Sequence, residues 1–227
     1  MVRIMAGDEN DTNSLIPTSK NKIEAYAEYG EMVDYDLSFS GFDENYCVSI
    51  VDMVDSTKIS ATMDRAKLSK YYSTFLNSMA SIVKKHGGKV IKNVGDSLLY
   101  FFPDVARSSD DFEFISCLES GLDMIEERAN INLKLKKENL PPLSYRISSD
   151  YGNVLLAKSQ NSPVVDIFGP SVNICCKING KAEKNGVVIG ADLYQIVKKF
   201  SNYYFKDIGS YDVGLRKQYP IYSVTRA

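Results

Sequence analysis

Two aspartates far apart in the chain, Asp52 and Asp96, are the residues whose type and setting best suit chemistry. Asp52 stands near the end of the largely apolar run Cys47 to Met53, which reads as a central strand covered on both faces. Asp96 lies in the stretch His86 to Phe102, which reads as a helix end, the glycine pair Gly87 and Gly88, and two short strands joined at Gly95-Asp96. Val90, Ile91 and Val94 make the first arm strand-prone, Leu98 to Phe102 is a short apolar run, and Gly95 supplies the freedom a tight turn needs. Alone, an aspartate in a turn is only a turn residue. Neighbouring strands lie ~5 Å apart, so if these two pair, both carboxylates reach one ion. Oxygen-only ligands at a strand end suit magnesium or manganese, above all where substrate phosphates complete the shell. Asp52 as a helix cap is the competing reading, but Asp55 and Ser56 are better placed for that.

The elements around these acids follow from periodicity. Leu68 to Lys85 reads as a helix, with Leu68, Tyr72, Phe75, Met79 and Ile82 at three- and four-residue steps. Asp110 to Asn130 reads as a second long helix, followed by a lysine-rich extension up to Pro141-Pro142 that reads as a solvated face. Ser144 to Ser149 and Val154 to Lys158 read as two strands around Gly152, and Ser171 to about Ala182 as a helix. Val187 to Gly190 is a strand, Ala191 to Phe200 a helix, and Tyr203 to Ile208 and Ile221 to Thr225 close the sheet. Residues 1 to about 20 read as a polar tail, Lys22 to Leu37 as a weakly patterned helix, and Ser38 to Asn45 as a linker. Interleaved helices and strands imply helices packed over one mixed sheet.

Composition narrows the function. The 227 residues suit one large domain, or one domain with an appendage, and a net charge of −2 argues against a nucleic-acid partner. No apolar run approaches a membrane span, and the polar start Gly7 to Asp11 is no signal peptide, so a cytoplasmic protein is expected. Cys47, Cys117, Cys175 and Cys176 show no Cys-x-x-Cys pair, and with His86 the only histidine the pattern argues against a zinc site and for reduced, buried thiols.

Four blocks carry a resemblance: Val51-Asp52-Met53-Val54-Asp55-Ser56-Thr57, the Gly87 to Phe102 hairpin, Asp166-Ile167-Phe168-Gly169, and Val172-Asn173. Together and in this order they resemble the catalytic domain of class III nucleotidyl cyclases, over roughly Asn45 to Ala227. The resemblance implies an α/β (α+β sandwich) fold with a ferredoxin-like palm core, its mixed, largely antiparallel sheet covered by helices. The domain would span 41–227, after an N-terminal segment 1–40. Asp52 and Asp96 match the metal-binding aspartates, with the Met53 carbonyl as a further ligand for two Mg2+ or Mn2+ ions. Backbone N–H groups around Ser56 and Thr57 would meet terminal phosphates. Lys92 and Asp166 match the pair that reads adenine, and Asn173 the residue that orients the ribose. The implied reaction is two-metal cyclisation of a nucleoside triphosphate, ATP favoured, at a homodimer interface. A pyrimidine cyclase of the phage-defence kind, a guanylate cyclase and a weakly active nucleotide-binding module are the alternatives.

Three departures stand out. Lys177 occupies the place of the family's transition-state arginine, keeping the charge but not the two-pronged geometry. Asp55 replaces a common glycine, adding negative charge near the phosphates. Matching the glycine after the family's phosphate-binding lysine to Gly214 puts Val213 at the lysine position, with Arg216 as the nearby substitute.

Overall fold

Strand β2 (Glu44–Met53) is buried from Tyr46 onward except at Asp52. Its alternating side chains feed two cores, with Cys47, Val51 and Met53 on one face and Tyr46, Val48 and Ile50 on the other. The computed structural model describes residues 37–39, 44–103, 111–159, 165–212 and 218–227. Among these, β2 pairs with β4 (Ser97–Phe102) on one side and β5 (Tyr145–Ser159) on the other. The sheet continues outward through β3 (Lys89–Val94) beyond β4, and through β7 (Val187–Gly190), β9 (Gln218–Arg226) and β8 (Tyr203–Asp212) beyond β5. Two short strands, β1 (Leu37–Phe39) and β6 (Val165–Phe168), pair with the outer half of β5. Only β5 and β7 run parallel; every other described pairing is antiparallel. The expected mixed, largely antiparallel sheet is therefore present.

The helix α1 (Ser56–Ser60) follows β2 directly, and α2 (Arg65–Lys85) and α3 (Phe112–Lys137) cover one face of the sheet. Asp64 caps α2 by accepting from the Lys67 N–H at 2.8 Å. Below it Tyr71, Phe75, Met79, Ile82 and Val83 are buried against the sheet, each large apolar side chain contributing about 1.5–3 kcal/mol. The opposite face is covered by α4 (Pro170–Asn179), whose Val172 and Cys175 pack on Val48, Ile50, Leu99 and Phe101. A last short helix, α5 (Ala191–Val197), follows β7.

Several expectations are corrected. The two strands around Gly152 are one, β5, whose ladder to β2 runs through the pair Tyr46 and Gly152. Glycine is needed there for close approach, since a Cβ would stand 3.3 Å from the Ser171 Cβ of α4. The lysine-rich extension is the last part of α3, which continues because lysine is a good helix former and Ile131 and Leu135 prolong its buried stripe; its Lys134, Lys136 and Lys137 are exposed, as the solvated-face reading expects. The supposed linker Ser38 to Asn45 contains the end of β1 and the start of β2 at its described residues. Asp166 lies in strand β6, an element not expected from the sequence. Cys47, Cys117 and Cys175 are buried, but Cys176 is exposed. The expected N-terminal tail, the expected helix up to residue 36, Val213, Gly214 and Arg216 lie outside the described residues, and Leu37, the expected last residue of that helix, opens strand β1.

Candidate active site

Antiparallel pairing of β2 with β4 sets Asp52 opposite Ser97, the residue after Asp96. Gly95 (φ +62) and Asp96 form the whole loop between β3 and β4, so the Asp96 carboxylate is held at a hairpin tip beside the end of β2. The Ser97 hydroxyl donates to Asp52 Oδ1. Burial pushes the Asp52 carboxyl up; the Ser97 hydrogen bond opposes this, the Asp96 charge adds to it, and Arg146 opposes it again. A partly desolvated acid next to a like charge is relieved by a cation, and two carboxylates offer the oxygen donors that a hard divalent ion takes. Among the described residues no three His, Cys, Asp or Glu side chains converge, so a metal here would need further oxygens from the backbone, water or a substrate. Met53 is buried in the core, which leaves its carbonyl as the group it can offer.

Asp52 borders a pocket of about 220 Å3 lined also by Ile50, Ser97, Arg146, Cys176, Asn179 and Gly180. Arg146 was not anticipated from the sequence. It stands on β5 directly opposite Asp52 of β2, and its Nε is buried without a hydrogen-bond partner. An orphaned guanidinium N–H beside a metal-suited acid pair fits an anionic group. Asn179 closes the floor, its Nδ2 donating to the Ile50 and Arg146 carbonyls, both at 3.3 Å, and to Ser148 Oγ at 3.2 Å.

Asp55 has a left-handed backbone (φ 60) where α1 begins, a conformation glycine takes freely and aspartate better than most residues. Its carboxylate makes no cap and instead meets Lys58 Nζ at 3.1 Å, which together hold it below the usual carboxylate range. Ser56 and Thr57 occupy the first turn of α1, where helix geometry leaves N–H groups without internal partners.

The remaining expected residues form a second group. Lys92 on β3 donates to Asp166 Oδ2 on β6, and Asp166 Oδ1 accepts the Ile167 N–H at 2.8 Å. The pair sets an ammonium donor beside a carboxylate acceptor. Asn173 and Lys177, both exposed, lie one turn apart on α4 and line a separate hollow of about 210 Å3 with Pro170, Ile174 and Tyr211. Within one chain α4 is thus a partition. Cys176, Asn179 and Gly180 border the metal-suited pocket, whereas Asn173, Ile174 and Lys177 border the other.

Residues 41–226 match the family described as the adenylate and guanylate cyclase catalytic domain. The chain belongs to that family. Among curated proteins, this cyclase domain is 24% identical over 226 residues to a cytidylate cyclase of Staphylococcus aureus, covering 92% of this chain and 53% of that protein. It is also 24% identical over 147 residues to an adenylate cyclase of Streptomyces coelicolor, covering 65% of this chain and 32% of that protein. The chain therefore spans about half or less of these relatives. Its fold superimposes on the adenylyl cyclase CyaB from P. aeruginosa with a TM-score of 0.74 and 20% identity, covering 85% of this chain and 97% of that one. The cyclase resemblance read from the sequence is borne out, as is the palm fold. Among the described residues of the cyclase domain, no helix is long and apolar enough to cross a membrane.

Proposed function

We propose that two copies of this chain pair so that each active site draws on both. One copy would supply Asp52, Asp96, the Met53 carbonyl and Arg146; the other Lys92, Asp166, Asn173 and Lys177. The observation that carries this reading is the partition made by α4. Asn173 and Lys177 stand on a different stripe of the helix from the residues bordering their own chain's Asp52 pocket. A complete set of catalytic groups then needs a second copy. Exposed Val90 and Val94 on β3 and Val165 and Phe168 on β6 flank the Lys92–Asp166 pair and offer apolar surface for such pairing.

In this arrangement the chain cyclises ATP to 3′,5′-cyclic AMP and pyrophosphate. Two Mg2+ or Mn2+ ions held by Asp52, Asp96 and the Met53 carbonyl would lower the pKa of the ribose 3′-hydroxyl and neutralise the leaving pyrophosphate. Asn173 orients the ribose, Lys177 donates to the α-phosphate as charge builds there, and Arg146 and the N–H groups of Ser56 and Thr57 hold the outer phosphates. A nucleoside triphosphate substrate fits a cytoplasmic protein.

Base choice rests on Lys92 and Asp166. Adenine presents an exocyclic amine, which suits the Asp166 carboxylate, beside an acceptor nitrogen, which suits Lys92. Guanine and uracil present the reverse pattern, and each mismatch leaves a desolvated group unpaired at about 1–3 kcal/mol. Cytosine shows the same pattern as adenine, and the cytidylate cyclase matched over 92% of the chain makes CTP the second reading.

One experiment tests site and substrate together. Asp96→Ala and Asn173→Ala proteins are assayed alone and mixed, with manganese and each of ATP, CTP, GTP and UTP, and products are identified by mass. The single variants should be nearly inactive, and mixing should restore activity, because a mixed pair contains one site free of both lesions. The unmutated chain should favour ATP or CTP over GTP and UTP by at least roughly tenfold. Demonstrated subunit exchange without recovery would place each site within one chain. Efficient turnover of GTP or UTP alone would overturn the base assignment.

A further inference from the structure

Among the described residues two lysines, Lys177 and Lys199, hold the ammonium over an aromatic ring, and of these Lys177 meets no carboxylate. The cations Lys58, Lys85, Lys92, Lys199 and Arg226 each meet a carboxylate, whereas among the described residues Lys177 is in no such ion pair. Its Nζ lies instead over the ring of Tyr211, 5.5 Å from the centroid. Tyr211 is well placed to be a fixed platform. It sits on β8 and packs, with Ile174, against the buried cluster Ile178, Ala182, Val188 and Ile221. Its cross-strand partner Tyr219 is itself pinned, donating to Asp150 Oδ2 at 2.8 Å and accepting the Asp192 N–H at 2.9 Å.

We propose that Tyr211 is a positioning residue for Lys177. Lysine lacks the rigid fork that gives arginine its direction, and its flexible stem leaves the ammonium free to sample many rotamers. A ring face attracts the cation through its quadrupole and confines it without adding a counter-charge. A carboxylate in the same place would hold the ammonium as firmly but compete with the phosphate for it. The ring thus presents Lys177 with its full charge available, on the same hollow as Asn173, and makes up part of what the missing guanidinium would supply. This inference rests on the cyclase reading of Lys177 given above.

The test uses the full chain and whichever nucleotide it cyclises. Tyr211→Leu keeps an apolar seat on the cluster but removes the ring face; it should lower kcat roughly two- to fivefold while leaving KM within about twofold, the range expected for an exposed cation–ring contact. Tyr211→Phe keeps the face and should rescue most of that loss. In a Lys177→Ala background, Tyr211→Leu should cost nothing more. A second readout needs no activity. In the nucleotide-free chain the ring current should shift the Lys177 ε-methylene protons upfield, with the shift kept in Tyr211→Phe and lost in Tyr211→Leu. An absent shift, an unchanged kcat in Tyr211→Leu, or an equal loss in Tyr211→Phe overturns the inference; the last would assign the role to the hydroxyl. A chain that cyclises no nucleotide defeats the cyclase reading instead, and the proton shifts still decide the contact.

Discussion

Two acid clusters in this chain reach opposite electrostatic states. On α3, Glu119, Asp123 and Glu126 meet Arg226 from β9, with Asp123 also taking Lys85 at 2.8 Å and lying 2.9 Å from His86 Nε2. Burial alone would push Asp123 up, but hydrogen bonds from Lys85, His86 and Arg226 hold its carboxyl far below the usual range. Burial likewise acts against Glu119, yet Arg226 and Tyr203 pull it down. At the end of β2 the outcome reverses, because burial and the Asp96 charge outweigh Ser97 and Arg146 and leave Asp52 raised. The first cluster is complete as it stands. The second has more negative charge than its neighbours satisfy. Concavity points the wrong way here, since the larger cleft, about 610 Å3, lies between α2 and α3 beside the complete cluster, against about 220 Å3 at Asp52. Unmet charge, not volume, singles out the candidate site.

That contrast breaks most sharply at Asp52. Asp52→Asn keeps the shape but not the charge, and it should lower cyclisation by roughly a hundredfold or more, beyond what losing a ligand's supporting partner costs. Its thermal midpoint should stay level or rise, since a disfavoured charge is removed. Near-normal turnover by the folded variant would sink the metal assignment.

Asp150 sharpens the comparison as a buried acid with neutral donors only. It is 0% exposed, accepts from the Tyr219 hydroxyl and the Leu193 N–H, and has the Asp192 charge nearby; burial pushes it from 3.8 up to about 7. A raised carboxyl keeps its proton in the folded chain after the unfolded chain has lost its own. Stability from this group is therefore fully present below about 3.8 and declines as pH rises to about 7. Asp150→Asn should remove a decline on the order of a few kcal/mol between pH 4 and 8, read as denaturant midpoints across pH. Equal slopes for both proteins would mean that Asp150 is already ionised at pH 4. The Arg226 cluster has the opposite sign, with its contribution lost as pH falls through the depressed carboxyls.

The smallest effect is expected in the complete cluster. Arg226→Ala should cost about 1–3 kcal/mol, toward the lower end because the guanidinium is partly exposed. Turnover per folded molecule should not change. A loss of activity without a loss of stability would show that this cluster, too, takes part in catalysis.

What the sequence made legible was local. The Gly95-Asp96 turn, the three-and-four spacing in α2 and the two-sided burial of β2 each follow from a few neighbouring residues, and each is present. Lys92 and Asp166 were linked by family resemblance, and the fold brings their side chains into contact. Arg146 stayed hidden because its role depends on the register of β2 against β5, and nothing near it in the chain announces that pairing. Asp150 was missed for the same reason. Its burial arises where Gly190 presses against it, a contact so close that a Cβ there would come within 2.5 Å of the carboxyl. Gly152 misled in the other direction, since glycine inside a strand was read as punctuation where it serves packing against α4.

The position of α4 has a consequence for how two centres in a pair would behave. One edge of this helix borders its own chain's Asp52 pocket, and another carries Asn173 and Lys177, the groups proposed above to serve the neighbouring copy. Asn179 hydrogen-bonds the C-terminal end of the helix to β2 and β5, which favours its moving as a unit over its bending. Any tilt imposed by a nucleotide at one centre displaces a wall of the other. By thermodynamic linkage, the factor by which the first ligand alters the second affinity is returned in full. The two centres of such a pair would not titrate as independent sites, and their binding curve would depart from a simple hyperbola.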